Sequence, residues 1–154
     1  MRTVAECVLL LLVLVFLHVA ANEDGKYQQV HRYLWLLSGA AGFFLLVLRC
    51  GLTWPVLWEL LLYGVIQYAL FARLYGKADC HCFCVTAIVF AAYGGGMVAF
   101  LTHMLLTICI LAFVQLCKRN VNRKGNLHRP VAMIPYIFTA FLPILGFLAL
   151  RGLL

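Results

Sequence analysis

The chain carries only five carboxylates, Glu6, Glu23, Asp24, Glu59 and Asp79. Two of them stand where chemistry could be done. Asp24 follows the first long apolar run, residues 3–21, within Asn22-Glu23-Asp24-Gly25-Lys26. Asp79 ends Leu74-Tyr75-Gly76-Lys77-Ala78-Asp79, just before another apolar run opens at Cys80. Each lies at a helix end, with Gly and Lys beside it. Two carboxylates a few ångströms apart cannot both ionise easily, so they share a proton near neutral pH. The ionised one can take a proton from water, and the protonated one can donate to a scissile carbonyl oxygen. That chemistry needs no metal or other cofactor. Singly, each aspartate reads as a solvated loop residue; as a pair at one membrane face they read as an aspartyl hydrolase.

The elements that must position this pair are membrane helices. Two thirds of the 154 residues are apolar and 11% are charged, too few to cover a soluble surface. Several apolar runs approach the ~20 residues that span a bilayer. Lipid leaves backbone groups unsatisfied unless the segment is helical, and no strand-like alternation is present. The expected fold is an all-α polytopic bundle forming one domain, 1–154, with six spans at 3–21, 33–48, 53–72, 80–93, 97–117 and 131–150. Gly94-Gly95-Gly96 divides the long apolar stretch 80–117 into two. Ser38, Gly39 and Gly42 suit close helix packing. The net charge of +7 points to anionic membrane lipid as a partner, not to nucleic acid.

Six spans sort the basic residues nine against three. Lys26, Arg32, Arg73, Lys77, Lys118, Arg119, Arg123, Lys124 and Arg129 share one side; Arg2, Arg49 and Arg151 share the other. The first side is then expected to be cytoplasmic, and both aspartates lie on it. A signal peptide cleaved after Val19-Ala20-Ala21 would break this arrangement, so the first run is expected to be retained.

These residues carry a resemblance. Asn22-Glu23-Asp24-Gly25-Lys26 resembles the first aspartate motif of the type IV prepilin peptidases. Gly76-Lys77-Ala78-Asp79 resembles their GxGD motif, and residues 128–136 (His-Arg-Pro-Val-Ala-Met-Ile-Pro-Tyr) are similar to the start of their last span. The resemblance implies a minimal, peptidase-only intramembrane aspartyl endopeptidase of a prokaryotic plasma membrane. It would cut the basic leader from prepilin-like or pseudopilin substrates at the cytoplasmic face. It assigns catalysis to Asp24 and Asp79, and loop support to Gly25, Gly76, Lys77 and Ala78. Ala78 replaces the motif's second Gly, and an alanine resists positive φ. Gln28-Gln29-Val30-His31 replaces the family's continuation after the first aspartate. The zinc-bearing methyltransferase region of the larger members has no counterpart.

The remaining polar residues have plainer expectations. Cys80-His81-Cys82-Phe83-Cys84 lacks a paired zinc spacing and splays its thiols over different helix faces. His81 and Glu23 are candidates to support the dyad from behind, with an interfacial role for His81 the simpler reading. Glu59 is expected to be structural, Gln67 to bond between helices, and His18 and His103 to be packing residues. The competing functional class is a non-enzymatic membrane protein: a transporter subunit, an assembly factor or a catalytically inactive relative. Acids at the interface, with no paired repeat, favour the peptidase over a transporter. The sequence leaves the oligomeric state open.

Overall fold

The computed structural model describes residues 4–121 and 131–151. Six helices follow one another: α1 (Val4–Tyr27), α2 (Arg32–Cys50), α3 (Trp54–Ile66), α4 (Lys77–Ala92), α5 (Gly96–Val121) and α6 (Ile134–Arg151). There is no strand among the described residues. Helix α3 continues into a π turn, Gln67–Phe71, so that its apolar length is Trp54–Phe71. Five of the helices are long and apolar enough to cross a membrane, and the chain is an all-α polytopic membrane protein.

The helices alternate in direction. At one end of the bundle the C-terminal turn of α1 meets the first turns of α4 and α6, where Asp24, Asp79 and Ile134 lie. At the other end, Arg49 near the end of α2 reaches both Glu6 on α1 and the Ala92 carbonyl at the end of α4, each at 2.9 Å. Its guanidinium also lies 4.1 Å from the Tyr93 ring centroid, a favourable cation–π placement. Glu59 sits on the same end, near the start of α5: a Cβ built on Gly96 would lie 3.3 Å from its Oε2. A carboxylate at a helix start is favourable, which gives Glu59 the structural role expected of it.

Helix α4 is the centre. Its 16 residues reach about 24 Å at ~1.5 Å per residue, short of a ~30 Å core. Yet its two ends meet opposite ends of the bundle, so α4 runs through it. From Cys80 to Ala92 most of its residues are buried, packed by α2, α3, α5 and α6. A helix wrapped by protein needs neither full length nor an all-round apolar surface. Between α4, α5 and α6, His103 is buried with Nδ1 3.3 Å from Thr86 Oγ1 and Nε2 2.9 Å from the Ile137 carbonyl. Phe83, Phe90 and Phe141 surround its ring. It is the packing residue expected, with polar partners that only the folded chain brings near.

Several boundaries differ from expectation. Helix α1 runs through the polar stretch to Tyr27, so Asp24 lies on a helix and not in a link. Helix α4 begins at Lys77, three residues earlier than expected, which puts Asp79 in its first turn. Residues 118–121 continue α5; the rest of the expected basic loop lies outside the described residues, as do residues 128–130 of the last motif. Of the three small residues on α2, Ser38 is buried and Gly42 packs on Ile88, whereas Gly39 faces open space. The glycine break is where it was expected, with φ of 70° at Gly94 and 53° at Gly96.

Gly95 makes the closest backbone approach. An added Cβ there would lie 2.7 Å from the Ala99 Cβ and 2.8 Å from Leu148 Cδ1. Gly95→Ala is therefore predicted to lower the thermal midpoint in detergent, by the equivalent of about 1–3 kcal/mol. Gly39→Ala, at an open helical position, should be neutral or stabilising. Equal midpoints for the two variants would contradict this packing. For the alternating topology, single cysteines at Lys26 and Arg73 in a cysteine-depleted background should label from one membrane side, and a cysteine at Leu52 from the other. Labelling of all three from one side would refute it.

Candidate functional site

The site begins with two helix ends that would otherwise expose polar backbone. The first N–H groups of α6 have no partner within their own helix. Asp24 supplies one: the Ile134 N–H donates to its Oδ2 at 3.1 Å, and the Met133 N–H also favours its ionised form. Asp24 thus caps α6 from α1, across 110 residues of sequence. Pro135 follows at the second position of α6, where a missing N–H costs little. Gly25 faces Pro135, with 3.9 Å from an added Cβ to its Cγ.

Asp79 is placed by Gly76, which caps α4 with φ 122° and ψ 158°. Only glycine takes that conformation without strain. A Cβ at Gly76 would also lie 3.4 Å from Asp79 Oδ2. Ala78 is helical, and among the described residues the only positive φ outside glycine is at Gln28, 54°. The concern over its methyl group is therefore resolved: the backbone demand of this motif falls on Gly76, and Ala78 packs against the core. Lys77, the first residue of α4, is exposed.

Both aspartates are 8% exposed, at the ends of the apolar stretches and not within them. Burial pushes the Asp79 carboxyl up to about 7, and the nearby charge of Asp24 pushes in the same direction. Burial also raises Asp24, but the N–H groups of Ile134 and Met133 oppose the rise. The two carboxyls therefore differ in kind. Asp24 has donors that stabilise its charge; Asp79 is held towards its neutral form.

The two expected supporters face elsewhere. Glu23 accepts the His31 N–H at 3.1 Å and touches the His31 ring, also at 3.1 Å. That backbone bond is the main reason its carboxyl lies below the usual range. Glu23 braces the α1–α2 turn. His81 stacks with Trp35, meets the Tyr68 ring edge-on and contacts the Lys77 carbonyl, which is the interfacial role. The thiols diverge as expected: Cys80 Sγ donates to the Gln67 carbonyl, Cys82 is in the core and Cys84 borders an apolar crevice with Tyr63. Gln67 bonds across to α5 through Met104 Sδ at 3.4 Å. The α6 donors to Asp24 had no sequence signal beyond the Ile134-Pro135 helix start.

A groove of about 510 Å3 runs along the seam of α1 and α6, and neither aspartate lines it.

A pH dependence follows from Asp79. Its folded pKa, about 7, exceeds the unfolded value near 3.8, so the folded state holds the extra proton between these limits. Stability from this group is greatest below about pH 4 and is lost as pH rises to about 7. The thermal midpoint in detergent should fall across that window, and Asp79→Asn should flatten the fall. An unchanged slope in Asp79→Asn would show that another group is responsible.

Compared with family models, with curated proteins and with solved structures, the chain finds no match in any of the three.

Proposed function

We propose that the chain is an intramembrane aspartyl endopeptidase in which Asp24 and Asp79 form one catalytic dyad. The observation that carries this reading is the shared burial of two aspartates at one end of the bundle, close enough for the charge of one to raise the pKa of the other. The N–H donors on Asp24 support one division of the roles. Asp24, ionised and steadied by the α6 N–H groups, takes a proton from water as the water oxygen attacks the peptide carbonyl carbon. Asp79, protonated, donates to the carbonyl oxygen. Asp24 then returns its proton to the departing amine, and Asp79 recovers its own as the carbonyl re-forms. With the motif resemblance, the substrate is the basic leader of a prepilin-like or pseudopilin protein. The setting is a prokaryotic plasma membrane with the dyad facing the cytoplasm.

One observation favours a second reading. Asp24 caps α6, and a non-enzymatic assembly factor or inactive relative could retain it for that alone. Substitution separates the two. Asn keeps an oxygen that can accept the Ile134 N–H but cannot act as a base; Ala loses the cap, at about 0.5–2 kcal/mol. Cleavage is assayed in membranes with a co-expressed basic-leader substrate. Asp24→Asn and Asp79→Asn should each abolish it with folding retained, and the double variant should be no worse than either single. Ala78→Gly and Glu23→Gln should cleave nearly as wild type. Gly76→Ala should lose most activity, because it forces a strained φ beside the Asp79 carboxyl. Activity should decline above about pH 7 as Asp79 loses its proton. Wild-type cleavage by Asp24→Asn would leave the capping role as the better account.

A further inference from the structure

The α1–α6 groove has a polar wall on α1 and a mostly apolar wall on α6. Lys26, Asn22 and His18 fall at steps of four residues along one face of α1 and all line it. All three are exposed. Opposite them, α6 contributes Pro135, Phe138, Thr139 and Leu142, with the Phe138 ring 5.7 Å from that of His18. Lys26 lies near the end of α1, at the membrane surface. His18 lies about 12 Å deeper, at ~1.5 Å per residue, and Leu142 lies two turns into α6. Polar side chains on a lipid-facing surface below the headgroups are costly without a polar occupant.

We propose that this groove binds one anionic phospholipid, its phosphate held by Lys26 and Asn22 and an acyl chain lying along Phe138 and Leu142. Three features select this occupant. The lining contains a cation and no carboxylate, because the neighbouring Asp24 turns to the α6 backbone instead. The polar side chains of α1 face a mostly apolar wall of α6, so the groove offers partners to both the polar and the hydrocarbon parts of a phospholipid. The volume of about 510 Å3 accommodates a headgroup with the upper part of one chain. A peptide substrate is a poorer fit, since the dyad lies behind the seam and not in the groove. A second copy related by two-fold symmetry would bring two Lys26 side chains together. Basic pockets between membrane helices commonly hold anionic headgroups. The inference stands apart from the peptidase reading and is tested without a cleavage assay.

The test uses the purified full chain in detergent, titrated with phosphatidylglycerol or phosphatidylcholine and read by native mass spectrometry. The wild type should retain one phosphatidylglycerol in preference to phosphatidylcholine. Lys26→Gln should reduce that preference about fivefold, whereas Arg73→Gln, a control for general charge at the same end of the bundle, should leave it unchanged. Both variants should keep the wild-type thermal midpoint. In a second arm, a photo-crosslinking residue at Leu142 in native membranes should capture lipid. An equal loss in both variants, no preference in the wild type, or capture of a peptide or a second copy at Leu142 would each overturn the proposal.

Discussion

Enclosing α4 is the constraint on which the arrangement depends. Sixteen residues cannot match a bilayer if lipid touches them throughout, so the neighbouring helices must close around this one. The same closure that accommodates its length buries Asp79 at its first turn. The raised pKa is thus a by-product of how the helix is housed. At the opposite end, Arg49 holds the last carbonyl turn of α4 through Ala92 while pairing with Glu6. The helix is therefore fixed at both ends by polar groups, and its middle is held by aromatic packing around His103.

Asp24 caps α6 from a neighbouring helix, and in the proposed peptidase the same residue would be the base. A carboxylate in a low-dielectric setting needs donors, and a helix start in that setting needs acceptors. Joining α1 to α6 meets both needs. In the proposed peptidase, the Asp24 side chain would thus be oriented before a substrate arrives. Such orientation is what efficient proton transfer requires.

Much of this was legible in order along the chain. Apolar runs and the Gly94–Gly96 break located the helices, and the alternation of spans put both aspartates at one end. The helix starts were less legible. Polar residues at 22–27 and 77–79 looked like links, because propensity and hydropathy do not register a helix that extends beyond the hydrocarbon. The π turn at Gln67 is set by its fit against Cys80 and Met104, which lie elsewhere in sequence. The Glu6–Arg49 and Asp24–Ile134 contacts join residues 43 and 110 positions apart, and no local pattern announces them. Within Gly76-Lys77-Ala78 the helix begins after the glycine, so only Gly76 needs an unusual φ, a division the motif spacing does not reveal.

The order of synthesis gives the α6 cap a further meaning. When Asp24 emerges from the ribosome, the N–H groups that will hold it are 110 residues away. Helix α4, short and with a carboxyl at its start, has little reason to enter a bilayer alone. It would insert most readily as a hairpin with α5, hinged at the three glycines, with Thr86 and His103 shielding one another from lipid. Only when α6 docks do Ile134 and Met133 reach Asp24 and complete the buried pair. The cap on Asp24 is thereby tied to completion of the bundle, and a chain lacking α6 would hold an Asp24 without its two N–H donors.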